Sequence, residues 1–199
     1  MAIVQTGLTL DEFLRQPEEK PALEYLDGVV TRKMSPKGPH GRLRVWASRL
    51  FDTAAGDPPA FLTFTELRTN WTNRASLVPD ISVYLVERVP TTPDGDVADD
   101  FWLPPDLVVE IASPGQSVND LTARANLLLQ HGVRVVVVVE PRLRRVRVAR
   151  PGQLIATYEG NDTIAFADVL PGFELSVREL FSALRVHRPS APPDPQSET

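Results

Sequence analysis

The chain has 199 residues, of which 26 are acidic and 21 basic for a formal charge of -5, and 42% of its side chains are hydrophobic against 24% charged. That balance is the one found in ordinary globular proteins and excludes disordered, collagen-like and fibrous chains. The acidic charge argues against a bulk electrostatic binder of nucleic acid, and the absence of cysteine excludes disulfide scaffolds, thiol catalysis, Cys-ligated zinc and iron–sulfur clusters.

No apolar run approaches the ~20 residues that a membrane helix needs. Residues 1–6 carry neither the basic segment nor the apolar stretch of a secretory signal, so a cytoplasmic enzyme or binding protein is expected. In chain order, Thr9-Leu10-Asp11-Glu12 has the spacing of a capping box, which predicts a short helix running to Pro17. Asp27-Gly28, set between Leu23-Glu24-Tyr25-Leu26 and Val29-Val30-Thr31, is the strongest two-residue hairpin signal in the chain. Between Pro39 and Gly56, Leu43, Trp46, Ala47, Leu50, Phe51 and Ala54 recur at helical spacing and predict an amphipathic helix.

Strands are predicted over 61–71, which is rich in Thr and aromatics, over 81–86 and over 107–111. An acidic loop, 94–100, separates the last two. A helix over 117–131 puts Val118, Leu121, Ala125 and Leu128 on one face and stops at Gly132. The β-branched run 133–139 predicts a buried central strand, and 144–150 alternates Arg with Val and Ala as a half-exposed strand does. Ser176 with Glu179 predicts a last capped helix ending near Leu184. Beyond it Pro189, Pro192, Pro193 and Pro195 lie among small and polar residues. The expectation is one α/β (α+β) domain over 1–186, a mixed β-sheet flanked by helices, with a disordered Pro-rich tail over 187–199.

The chain has no phosphate-binding loop, no G-x-S-x-G elbow and no His-Glu-x-x-His, and its three histidines lie far apart. What remains is carboxylates on apolar strands, where a charge is costly without a partner. Asp80 opens the strand that follows Pro79, and Glu110 interrupts Leu107-Val108-Val109-Glu110-Ile111. Neighbouring strands lie ~4.8 Å apart, so two such carboxylates can share one cation. Equally, Asp80 can cap a turn and Glu110 can form a structural ion pair. Asp106 is ~13 Å from Glu110 along a strand and cannot bind the same ion.

Further segments join these two. Glu24-Tyr25-Leu26-Asp27-Gly28, Ser35-Pro36, Gly38-Pro39-His40, Val78-Pro79-Asp80-Ile81-Ser82-Val83, Asp106-Leu107-Val108-Val109-Glu110-Ile111-Ala112-Ser113-Pro114 and Gly132-Val133 before Glu140-Pro141 occur in that order. Over roughly residues 9 to 184 the chain thereby resembles the Uma-type family of putative restriction endonucleases, a branch of the PD-(D/E)XK nuclease superfamily. The resemblance implies a restriction-endonuclease-like core and a metal-dependent endonuclease acting on DNA, with possible homodimers and no organic cofactor. It further implies one or two Mg2+ or Mn2+ ions held by Asp80 and Glu110. Glu24 matches an additional acidic position, and His40 a His that starts the amphipathic helix.

In the superfamily a lysine follows the Glu by two residues, where this chain has Ala112. Relatives instead place it on the next helix, at the position of Arg124. Lys20, Lys33 and Lys37, the chain's three lysines, are remote from this segment in sequence, so Arg124 is expected to replace the catalytic amine. An arginine clamps phosphate but cannot act as a base. The alternative is a catalytically silent nuclease fold that binds DNA or a protein partner.

Other features read more plainly. Arg142, Arg144, Arg145, Arg147 and Arg150 form one basic stripe, either a track for a DNA backbone or a solvated strand face. Asp94, Asp96, Asp99 and Asp100 lack the spacing of a calcium loop. Trp46 and Trp71 read as core or interface aromatics.

Overall fold

A computed structural model describes residues 2–71 and 74–186, so the predicted tail lies outside the described residues. Strand β1 (Ala2–Thr6) leads to α1 (Leu10–Leu14), where Thr9 and Glu12 form the predicted capping box. The hairpin β2 (Leu23–Leu26) and β3 (Val29–Arg32) turns through Asp27 at φ 47° and Gly28 at φ 83°. Two successive left-handed residues are what a type I′ turn requires. Helix α2 (Gly38–Ala54) buries His40, Leu43, Ala47 and Phe51 along one stripe.

The predicted strand over 61–71 is broken. The chain turns at Glu66, φ 52°, and delivers β4 (Phe61–Thr65) and β5 (Thr69–Trp71) to different sheets. There follow β6 (Ala75–Leu77), β7 (Ile81–Leu85), β8 (Leu107–Ile111), α3 (Val118–Gln130), β9 (Val135–Glu140) and β10 (Arg145–Ala149). Strands β11 (Ala156–Glu159), β12 (Thr163–Ala165) and β13 (Glu174–Ser176) precede α4 (Val177–Ser182).

The expected mixed sheet is the six-stranded one, ordered β11-β10-β9-β8-β7-β4, in which only β8 and β9 run parallel. Helix α3 makes their crossover. A second, antiparallel sheet of five strands, ordered β1-β3-β2-β6-β5, stands beside it. Sequence patterning did not anticipate this sheet as a unit, because β5 and β6 have three residues each, too few for a period to register.

Helices cover both faces of the central strands, and this is why β8 and β9 are apolar apart from Glu110 and Glu140. Val109, Ile111, Val135, Val137 and Val139 pack with Leu43 and Phe51 of α2. Val108, Val136 and Val138 pack with Leu121, Ala125 and Leu128 of α3. Helix α3 ends at Gly132, φ 99°, where an added Cβ would lie 3.0 Å from Pro104 Cγ. Gly132→Ala is therefore expected to destabilise the fold by about 1–2 kcal/mol, read as a lowered melting temperature.

Candidate active site

Strand alternation fixes where the acidic side chains point. Ser82 of β7 pairs antiparallel with Val108 of β8, so Asp80, two residues before Ser82, and Glu110, two residues after Val108, fall on the same sheet face as Val108. Asp80 is anchored there, its Oδ2 accepting from the backbone N of Ile111 at 2.8 Å. On the other sheet Glu24 pairs in register with Thr31, and Lys33 follows on the same face of the hairpin. The segment between β6 and β7 ties these elements together. Val78 donates its backbone N–H to Glu24 Oε1 at 2.8 Å, and its carbonyl accepts from Lys33 Nζ at 2.7 Å.

Helices supply the remaining side chains. Pro39, one of the first residues of α2, starts the helix with a preset φ. His40 then continues the buried stripe of Leu43 and Ala47 and points inward. Its Nε2 lies 3.2 Å from Asp80 Oδ2, and its Nδ1 3.5 Å from Ser113 Oγ. Arg124, one turn along α3 from the buried Leu121 and Leu128, donates to Glu110 Oε1 at 2.9 Å and to Glu24 Oε1 at 2.8 Å. Glu24, Lys33, His40, Asp80, Glu110 and Arg124 all line one cavity of about 40 Å3.

All five residues singled out from the sequence thus meet in one place. A lysine that is remote from the Glu110 segment in sequence joins them in space. Lys33 Nζ stands 2.7 Å from Asp80 Oδ1, brought there by a hairpin 47 residues earlier in the chain. Spacing along the Glu110 segment could not reveal it, because Lys33 arrives from a different sheet. Asp106 is remote from this cavity, a buried carboxylate paired with Arg88 and Arg134. The basic stripe is largely neutralised: Arg145 and Arg147 hold Glu140, and Arg150 holds Asp168. Trp71 is buried in the core, as expected.

The electrostatics of the cavity separate the two strand carboxylates. Burial pushes Asp80 up, but His40 and Lys33 beside it outweigh this and hold its carboxyl well below the usual carboxylate range. Burial likewise pushes Glu110 up, and there the balance stays raised, with Asp80 and Glu24 adding to it and Arg124 and Lys33 opposing. Lys33 loses by burial and gains more from Asp80, Glu110 and Glu24, so its ammonium is held above the ordinary lysine value. Arg124 is raised in the same way, burial being overcome by Glu110 and Glu24.

The donor set is hard and oxygen-based. Glu24 Oε2 is buried without a hydrogen-bond partner among the described residues. No group of three His, Cys, Asp or Glu side chains among those residues encloses an ion by itself. Such an incomplete carboxylate set fits magnesium or manganese, which bind through one or two carboxylates and keep waters and phosphate oxygens as the other ligands. It does not fit the closed N/S tetrahedron of structural zinc.

Three comparisons bear on this arrangement. A family model described as Uma2, putative restriction endonuclease, matches residues 10–178. Among solved structures, the crystal structure of a putative nuclease belonging to DUF820 from Anabaena variabilis is similar with a TM-score of 0.83 and 32% identity. The match covers 90% of this chain and 100% of that one. A search of curated proteins finds no match. Among the described residues, no helix is long and apolar enough to cross a membrane.

Proposed function

Because the chain belongs to the Uma2 family of putative restriction endonucleases, we propose that it is a divalent-metal-dependent endonuclease that hydrolyses DNA phosphodiester bonds. The observation that carries the proposal is the cavity in which Asp80 and Glu110, from neighbouring strands, stand with Lys33 and Arg124.

Asp80 and Glu110 would hold a magnesium or manganese ion. When bound, such an ion lowers the pKa of a water and offsets charge on the phosphate. Glu24 supports the site through Arg124, which it shares with Glu110, and through the backbone of Val78. His40 positions Asp80 from the α2 side. Arg124 contributes a permanent positive charge and a planar donor fork for phosphate oxygens.

Lys33 takes the amine's place that Arg124 was expected to fill. With its ammonium stabilised by three carboxylates, it acts as a donor to negative charge rather than as a proton acceptor. That role needs no lowered pKa, and the surroundings of Lys33 do not provide one.

Supercoiled plasmid tests the proposal. The protein is expected to nick it with magnesium or manganese and to stop on addition of EDTA; intact plasmid with both ions would overturn the assignment. A pH dependence follows from Glu110. A proton competes with the cation at a carboxylate that burial holds above the usual glutamate range, so manganese affinity is expected to increase as the pH rises through its titration. Titration calorimetry at several pH values reads this, and Glu110→Gln should weaken binding and flatten its pH dependence.

A further inference from the structure

Beside the carboxylate cavity lies a larger groove of about 520 Å3. His40, Ser113, Gln116 and Leu121 line both and form their common wall. Away from that wall the groove is apolar, built on Pro39, Pro114, Pro141 and Leu143, and Leu143 leaves 58% of its surface open to solvent. Its acidic lining residue, Glu140, is neutralised by Arg145 and Arg147. The groove's own cations, Lys37 and Arg142, are exposed and in no ion pair among the described residues.

We propose that this groove seats one unstacked nucleotide next to the phosphate under attack, so that the protein acts on DNA where it is single-stranded or locally opened. The location of that phosphate rests on the nuclease assignment above. The volume falls within the ~300–1,000 Å3 of small-ligand sites. A paired base shows only its edge in a duplex groove, which offers an apolar wall little besides a thymine methyl group. An unstacked base presents a whole face and its sugar, and removing these from water against proline and leucine is favourable. A guanidinium plane such as that of Arg142 also stacks on exposed bases. Lys37 and Arg142 together complement the phosphates on either side of the seated nucleotide.

Binding by fluorescence anisotropy in EDTA, at fixed salt and with no cleavage, tests this. The probes are a labelled single DNA strand of about 16 nucleotides, the same strand in a duplex, and that duplex with a short central bubble. Single strand and bubble are expected to bind about tenfold more tightly than duplex, the factor worth ~1.4 kcal/mol. Leu143→Asp and Arg142→Ala, both at exposed positions, should erase most of that preference with unchanged melting temperature. Equal or tighter binding of the duplex, no binding of any probe, or a preference untouched by Leu143→Asp overturns the proposal. A protein that nicks plasmid yet shows no preference contradicts the groove alone. One that prefers the single strand yet never nicks contradicts the cleavage assignment alone.

Discussion

Lys33→Met is expected to lower DNA cleavage by roughly 10²–10³-fold, the loss that accompanies removal of one charged or polar donor aimed at developing negative charge. Lys33→Arg should retain a measurable part of the activity. These two variants separate the possible roles of the residue. An arginine keeps the charge but cannot accept a proton, so a general base at this position would make Lys33→Arg as inactive as Lys33→Met. The ion pair with Asp80, 2.7 Å long and largely buried, gives the reason to expect a donor. Melting curves for both variants separate loss of chemistry from loss of the fold, since Lys33→Met also leaves Asp80 with one cation fewer.

Arg124→Ala is expected to destabilise the protein by about 3–5 kcal/mol, the range for breaking a buried ion pair by removing one partner. Arg124 is only 10% exposed and pairs with both Glu24 and Glu110, of which Glu24 is 2% exposed. Its loss strands two carboxylates away from water. For a chain of this size the change amounts to a fall of roughly 10 °C in melting temperature. Adding Glu110→Gln should recover part of the loss, because a neutral amide no longer needs the guanidinium. A double-mutant cycle in which the two changes simply add would show that the pair is not coupled.

Much of this architecture could be read from residues. Capping chemistry placed the starts of α1 and α4 correctly at Thr9 and Ser176, and apolar periodicity placed that of α3 at Ser117. Asp27-Gly28 placed the hairpin, and the apolar run 107–111 gave β8 with its bounds. These signals are local, and local signals survive in a single sequence. Asp80 and Glu110 stood out for a related reason, one opening and the other interrupting an apolar strand, where a lone charge is unfavourable; that they share one site was implied by the family resemblance.

Signals carried by tertiary contact were not legible. Lys33 looks like any residue near a loop, and nothing in its neighbourhood says that it crosses from one sheet to the other. The break at Glu66 was hidden because Thr and aromatic residues continue on both sides of it. The arginines of β10 read as a DNA track or a solvated strand face, and neither reading includes Glu140, which at the end of the adjacent strand β9 accepts from both Arg145 and Arg147. In each case the deciding partner is distant in sequence or sits on another strand.

Manganese titration by calorimetry, comparing the wild type with Asp80→Asn and Glu110→Gln, bears most directly on the claim that these two side chains hold the ion. The wild type is expected to bind one or two ions near neutral pH, and each variant, with a melting curve that shows it folded, to bind at least about tenfold more weakly. Wild-type affinity preserved in both folded variants, or no binding by the wild type, would contradict it.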